Sequence, residues 1–106
     1  MRVQEGSLSE NGLTVKVTNN DNLPITIGND YHVEENNKGT WIRHNAKADL
    51  LYYEESIIIE KGNEETFIID WTDYYGSLSP GQYCLVKKYV HNGREYCARA
   101  EFELKE

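Results

Sequence analysis

The sequence predicts a single all-β domain built as a sandwich of antiparallel strands, and three observations lead to this prediction. First, 106 residues allow one compact hydrophobic core but are too few for two ordinary domains. Second, the chain has 4 alanines against 8 tyrosines, 8 isoleucines and 10 asparagines, which favours strands and turns over helices. Third, short segments of alternating apolar and polar residues are separated by clusters of turn-forming residues. Seven or eight strands at this spacing are typical of a sandwich.

The alternation places the predicted strands in order along the chain. They are Leu13–Val17, Ile25–Ile27 as a short strand or bend, Tyr31–Glu34, Thr40–Ile42, Ser56–Ile59, Glu65–Trp71, Gln82–Val90 and Glu95–Lys105. Residues 1–11 are mostly polar and are interpreted as a flexible lead-in, so the domain itself spans residues 12–106. Residues 43–55 are weakly patterned and are interpreted as a crossing loop, with or without a short strand. Asp70–Gly76 is predicted to form a single helical turn.

The register of the last hairpin follows from its turn. Asn92-Gly93 supplies the positive φ angles of a two-residue turn, and this turn places Cys84 opposite Glu101 and Cys97 opposite Lys88. The two cysteines then lie roughly 13 Å apart, at about 3.3 Å per residue along the strands. A disulfide needs Cα atoms within about 7 Å. We therefore expect reduced thiols on the outward face, with Cys97 exposed and the more reactive.

The other face of this hairpin is predicted to line the core. Its members are Tyr83, Leu85, Lys87 and Tyr89 on one strand and Tyr96, Ala98, Ala100, Phe102 and Leu104 on the other. Because Lys87 is charged, we expect it near one end of the sandwich with its ammonium group reaching water. The aromatic residues on inward phases, assigned to the core, are Trp41, Trp71, Tyr83 and Phe102.

The segment Leu78-Ser79-Pro80-Gly81-Gln82-Tyr83 has the pattern of a tyrosine corner. In this motif the tyrosine ring enters the core and its hydroxyl group bonds to backbone a few residues upstream. Pro80 fixes the φ angle of the corner and Gly81 permits the turn. The alternative is an ordinary loop followed by a core tyrosine.

These residues resemble the bacterial immunoglobulin-like domains of Gram-positive secreted proteins and lipoproteins. The similar stretches are LTVKVTNNDNLPITIGNDY at residues 13–31, Gly39-Thr40-Trp41, and WTDYYGSLSPGQYCLV at residues 71–86. The most specific part is Tyr75-Gly76, Leu78 and Pro80-Gly81-x-Tyr83. The resemblance implies an immunoglobulin-like β-sandwich with Greek-key connections, an extracellular or cell-envelope location and an accessory role without catalytic residues.

Charge and motifs exclude several classes of function. The net charge of −7 disfavours binding to nucleic acid and to anionic membrane surfaces. His32, His44 and His91 lie in separate segments without the close spacing of a metal site. No nucleotide-binding or nucleophile motif is present, and adjacent acidic residues on a strand point to opposite faces. We therefore predict no catalytic residues, no metal and no cofactor.

Twelve aromatic residues are more than one small core needs, and the surplus suggests a binding surface. The candidate residues are Tyr52, Tyr53, Tyr74 and Tyr75, in the loops Arg43–Glu55 and Asp70–Gly76, with partial burial at loop bases as the competing interpretation. We expect the chain to be a recognition module of a bacterial surface or secreted protein, and this class includes the exported parts of lipoproteins. A cytoplasmic location stays open as the alternative. Its partner is expected to be another protein or a cell-envelope component.

Two alternative functions stay open. One is a small proteinase-inhibitor-like or peptide-binding domain that acts through the Arg43–Glu55 loop. The other is a carbohydrate-binding module that uses exposed tyrosines. A protruding rigid loop would favour the inhibitor, and a coplanar aromatic pair would favour the sugar.

Overall fold

The computed structural model describes residues 1–44 and 56–105. In this part of the chain the strands are β1 Arg2–Val3, β2 Gly12–Thr18, β3 Ile25–Gly28, β4 His32–Asn37, β5 Thr40–Arg43, β6 Ser56–Ile59, β7 Glu64–Asp70, β8 Gly81–His91 and β9 Arg94–Leu104. One helical turn, α1 Thr72–Tyr75, follows β7. The predicted all-β class is confirmed, and so is the single turn of helix.

The strands form two antiparallel sheets that face each other. The smaller sheet has the order β1-β2-β7. In the larger sheet, β9 pairs with one edge of β8, while β3 and β4 pair with different parts of its other edge. Strands β6 and β5 then pair with β3 and β4. The chain changes sheet between β2 and β3, between β6 and β7, and between β7 and β8, as Greek-key connections do.

Alternating residues from both sheets fill the space between them. The contributors from β2 and β7 are Leu13, Val15, Val17, Phe67 and Ile69. Trp71 is fully buried and stacks on Phe102 with ring centroids 5.5 Å apart. Phe102 in turn stacks on Tyr83 at 5.6 Å. The core assignment of these three aromatic residues is confirmed.

The loop before β8 is closed by Tyr83. Its ring is buried, and its hydroxyl group donates a hydrogen bond to the carbonyl oxygen of Ser79 at 2.7 Å. Pro80 and Gly81 form the intervening bend. This is the hydrogen bond that a tyrosine corner requires. Burial of the ring also raises the pKa of the Tyr83 hydroxyl group.

The assignment of Trp41 to the core is wrong. Trp41 pairs with Asn36, which lies on the opposite face of β4 from the core residue Val33. Trp41 is therefore half-buried on the outer face of the larger sheet, where the Arg99 guanidinium lies 5.9 Å from its ring centroid. The phase of this short strand is set by its pairing with β4.

The interpretation of residues 1–11 as a lead-in outside the domain is also corrected. Arg2 and Val3 pair with β2 as strand β1. Further along, the Glu10 carbonyl accepts hydrogen bonds from the Trp71 indole at 2.8 Å and from the Leu78 backbone at 2.9 Å. This polar segment thus satisfies donors at the edge of the core.

The β8–β9 hairpin has the predicted register. Cys84 lies opposite Glu101 and Cys97 opposite Lys88, and both cysteines are free. Cys97 is exposed as expected, but Cys84 is fully buried although it faces outward. The reason is an ion pair of 2.7 Å between Arg99 on β9 and Glu34 on β4, which crosses over β8 and covers this small side chain. Burial raises the pKa of the Cys84 thiol.

The expectation that the Lys87 ammonium reaches water is wrong as well. Lys87 is 1% exposed. Its Nζ donates to the carbonyl oxygens of Gly28 at 2.9 Å and Asp30 at 3.1 Å, and lies 4.3 Å from the Phe67 ring centroid. Gly28 is the last residue of β3 and Asp30 lies between β3 and β4, where the backbone does not pair with β8. The ammonium group therefore donates hydrogen bonds to two carbonyl oxygens that receive none from β8.

Candidate binding site

A cavity opens between the two sheets at the end of the sandwich formed by the β2–β3 loop and the β8–β9 turn. We call this end the open end. The cavity has a volume of about 500 Å³, within the range of small-ligand sites. Its apolar walls include Val17 from the smaller sheet and Ile25 and Ala98 from the larger sheet, while Asn20 and Asp21 stand at its rim. The site thus combines apolar walls with a few polar groups.

An aromatic pair forms one side of the cavity. Tyr89 and Tyr96 are directly opposed on β8 and β9, with ring centroids 5.5 Å apart and ring planes 22° from parallel. The His91 ring contacts Tyr96 at 6.2 Å. Tyr96 is 41% exposed, a large fraction for an aromatic residue on the inward face. The pair therefore presents an accessible ring beside an apolar space.

The rim of the cavity is held in place by Asn19, whose side chain is buried and fully hydrogen-bonded. Its amide nitrogen donates to the carbonyl oxygens of Leu23 at 2.9 Å and Ile59 at 2.8 Å. Its amide oxygen accepts from the backbone nitrogen of Asp21 at 2.9 Å. Its own backbone is bonded to the β6–β7 turn. The loop that carries Asp21 is consequently preorganised.

His91 and Asp21 bring two polar groups to the same side of the opening. The imidazole Nε2 lies 3.6 Å from a carboxylate oxygen of Asp21, too far for a direct hydrogen bond. In the part of the chain that the structure describes, this solvent-shielded nitrogen has no hydrogen-bond partner. A buried polar atom without a partner is unusual in a folded protein. Because the nitrogen is shielded from solvent, it does not itself line the opening.

The predicted tyrosine site is not assembled at α1. Tyr75 is 3% exposed and packs against the His44 ring at 5.7 Å, and burial raises the pKa of its hydroxyl group. Its use as an exposed binding residue is therefore wrong. Tyr74 is half-buried and makes an edge contact with Tyr31 at 6.5 Å. Tyr52 and Tyr53 lie outside the described residues, as does most of the Arg43–Glu55 loop proposed for the inhibitor.

A second polar cluster covers the outer face of the larger sheet. The Glu34 carboxylate binds Arg99 at 2.7 Å and His32 at 2.9 Å, and these hydrogen bonds, that of Arg99 above all, lower its pKa. Since its charges are paired, this cluster stabilises the surface of the sheet and leaves no group for chemistry. Within residues 1–44 and 56–105, no cluster of histidine, cysteine and acidic residues is arranged to hold a metal ion. No helix among them has the length and apolar character of a membrane span.

Fold and sequence together define the class of protein. Two facing antiparallel sheets with crossing connections, an aromatic core and a Tyr83 hydroxyl bonded to upstream backbone describe an immunoglobulin-like β-sandwich. Residues 1–103 match the sequence model of the bacterial Ig-like domain. The chain belongs to the bacterial Ig-like domain family, as the resemblance implied. A search of curated proteins found no match.

Proposed function

We propose that this chain is a non-catalytic recognition module of a bacterial surface or secreted protein and that it binds its partner through the open end. Membership of the bacterial Ig-like family supports the proposal, since such domains are often extracellular and typically lack catalytic activity. The partner is another protein or a component of the cell envelope. Under this proposal, the surface proteins that carry such a module include lipoproteins.

The observation that carries the proposal is a preformed cavity next to an exposed aromatic ring. Tyrosine offers a large apolar area and a hydroxyl group at a low entropic cost, and is enriched in recognition surfaces. Leu23, in the same loop as Asn20 and Asp21, adds an exposed apolar side chain at 46% exposure. Because the rim is already fixed by Asn19, binding there requires little further ordering of the loop.

The polar groups at the open end support a binding role over a catalytic one. The Thr18 hydroxyl group donates to the Glu64 carboxylate at 2.9 Å and is therefore not activated by His91. His91 has Asp21 as its acidic neighbour but no nucleophile among its described hydrogen-bond partners. A nucleophilic mechanism needs a nucleophile within hydrogen-bond reach of its base.

A binding assay with paired variants tests the proposal. Immobilised wild-type protein, Tyr96→Ala and Ile68→Ala would be exposed to purified cell-envelope and secreted fractions of the source bacterium on a biosensor. Ile68 is 84% exposed on the outer face of the smaller sheet and serves as the control. We expect wild-type protein and Ile68→Ala to bind alike and Tyr96→Ala to bind at least about tenfold more weakly. Equal binding by all three proteins would contradict the role of the open end.

A further inference from the structure

We infer that two copies of this chain associate edge to edge through β9 and join their larger sheets into one continuous sheet, with a twofold axis at Ala100. This association goes beyond the proposed function, because the partner is a second copy of the chain. Three features support it, namely the free edge of β9, the order of charges along this strand and the residues on its inner face.

Strand β9 is the longest edge strand that the structure describes. It has 11 residues and, in the described part of the chain, pairs with β8 alone. The Asn92-Gly93 turn makes His91 and Arg94 a hydrogen-bonded pair, so the odd-numbered residues of β9 point their backbone groups away from β8. Strand β1 of the facing sheet comes close to β9 but pairs with β2. The edge of β9 is therefore a template for a further strand, with no proline or bulge to interrupt it.

The charges on the outward face of β9 are complementary to their own reverse order. Two antiparallel copies of the strand with the axis at Ala100 form a ladder over residues 95–105. On the outward face this register opposes Arg99 with Glu101, Glu95 with Lys105, and Cys97 with Glu103. Opposite charges at directly opposed positions stabilise a sheet, and like charges there destabilise it. Charged residues usually protect an edge strand from pairing, but in this order they favour pairing with a second copy.

The order of charges also selects this axis over its neighbours. Only odd-numbered residues offer free backbone groups, so each of them must oppose another odd-numbered residue. An axis at Arg99 or at Glu101 brings that residue against its own copy, and the next axis in either direction opposes two glutamates. An axis at Cys97 opposes no like charges but pairs only residues 94–100 of the strand.

The inner face of β9 fits the same axis. Its even-numbered residues form the non-hydrogen-bonded pairs of the new ladder, in which side chains approach most closely. Ala100 opposes its own copy and Ala98 opposes Phe102, so the central pairs each include a small side chain. Tyr96, which is 41% exposed, opposes Leu104 of the second copy. The association thus covers part of an exposed aromatic ring.

The charges of this hairpin are available to a second copy. Arg99 binds Glu34 through one guanidinium nitrogen, and a guanidinium group has five N–H donors. Glu95 is 64% exposed and lies 3.8 Å from Lys88, a surface contact that contributes little. Residues 82–106 carry five bases and four acids, whereas the whole chain has a net charge of −7. Repulsion between two copies is therefore weakest at this hairpin.

Sedimentation of charge-reversed variants tests the pairing of Arg99 with Glu101. The wild-type chain should form dimers as its concentration rises from about 10 µM to about 1 mM, the range expected for a small interface. Arg99→Glu alone and Glu101→Arg alone should each self-associate at least about tenfold more weakly, because each opposes like charges twice. An equal mixture of the two variants should recover the dimer, since its opposed charges are again complementary. Lys61→Glu, at an exposed position in the β6–β7 turn, is the control and should dimerise like the wild-type chain.

A disulfide trap tests the register. Glu103→Cys places a thiol opposite Cys97 of the second copy, with Cα atoms about 5.5 Å apart, within disulfide reach. With glutathione disulfide as the oxidant, each bridge forms as two thiols lose their protons and two electrons, and the oxidant leaves as two glutathione thiols. Glu103→Cys should form a covalent dimer much faster than the wild-type chain or Glu95→Cys, whose thiols in the two copies lie roughly 20 Å or more apart.

Three results would overturn the inference. The first is a wild-type chain that stays monomeric at every concentration, and the second is a mixture of folded Arg99→Glu and Glu101→Arg that stays monomeric. The third is a covalent wild-type dimer that forms through Cys97 as fast as that of Glu103→Cys. If Arg99→Glu does not give the dispersed amide spectrum of a folded chain, the mixture of Glu95→Lys with Lys105→Glu takes its place, with the same expected recovery. In each case the proposed function of the open end stands, because envelope binding is measured separately.

Discussion

Replacement of Lys87 by methionine should change how the stability of this domain depends on pH. The ammonium group is 1% exposed and has three acceptors, namely the carbonyl oxygens of Gly28 and Asp30 and the ring of Phe67. Burial lowers its pKa from the ordinary 10.5 to about 8, partly offset by the negative charge of Asp30. The folded protein therefore holds this proton less tightly than the unfolded chain does.

The sign of the effect follows from the protons bound in each state. Below about pH 8 both states are protonated, and the folded state bears the full cost of a buried charge. Between about pH 8 and 10.5 the folded state has released a proton that the unfolded chain keeps, so the free energy of unfolding rises with pH. The whole rise is about 3 kcal/mol, of which about 1 kcal/mol falls between pH 7 and pH 9.

Lys87→Met keeps most of the side-chain volume and removes the charge. At pH 7 the loss of a donor to two carbonyl oxygens, which costs about 1 to 3 kcal/mol for an orphaned group, opposes relief from the buried charge of about 3 kcal/mol. The variant should therefore lie within about 2 kcal/mol of the wild-type protein at pH 7. At pH 9 it should be less stable relative to the wild-type protein, by about 1 kcal/mol more than at pH 7.

Urea unfolding at pH 7, 8 and 9, followed by tryptophan fluorescence, measures this difference. The buried tyrosines Tyr75 and Tyr83 titrate alike in both proteins, so their contribution cancels in the comparison. Lys88→Met is the matched control, because Lys88 is an exposed neighbour that lies 3.8 Å from Glu95. Its stability difference from the wild-type protein should be nearly independent of pH. If Lys87→Met does not lose stability relative to the wild-type protein between pH 7 and pH 9, the buried ammonium group is refuted.

Three further predictions concern single positions. Gly12→Ala should lower the free energy of unfolding by more than about 2 kcal/mol in urea titrations, because an added Cβ would clash with the Ile69 carbonyl oxygen. A loss under about 0.5 kcal/mol would contradict this packing. Tyr83→Phe should lower the free energy of unfolding by about 1 to 2 kcal/mol and lower Tm by several degrees in calorimetry, because the Ser79 carbonyl oxygen loses its donor. An unchanged Tm would mean that this hydrogen bond contributes nothing to stability. A thiol reagent should label Cys97 rapidly and Cys84 only on unfolding, and equal labelling of both, or of neither, would show that the register or the thiol state is different.

Local patterns were sufficient to predict much of this fold. The Asn92-Gly93 turn determines the whole register of β8 and β9, since a slip by one residue would expose Phe102 and Ala100 to water. Trp41 could not be placed in the same way, because a strand of four residues has too few alternations to reveal its phase. Its outward orientation depends on its pairing with Asn36 in β4.

The environment of Lys87 and the open end both depend on distant parts of the chain. Alternation predicts that Lys87 faces inward, but its partners lie at the end of β3 and in the connection to β4, about 60 residues away. Alternation also predicts the inward face of Tyr96 correctly, but the same pattern predicts that this ring lies in the core. It is exposed because β8 and β9 have 11 residues each while β2 and β7 have 7, which leaves the end of the hairpin without a facing strand. That difference in predicted strand length is a signal that the sequence does contain.

Hydrogen–deuterium exchange of the chain bound to its native partner tests the central claim most directly, because it maps the contact without assuming where it lies. If the open end is the recognition surface, backbone amides in residues 18–24 and 89–97 should exchange more slowly in the complex than in the free protein. Protection confined to α1, or to the outer face of the larger sheet around Trp41, with unchanged exchange at the open end, would contradict the account.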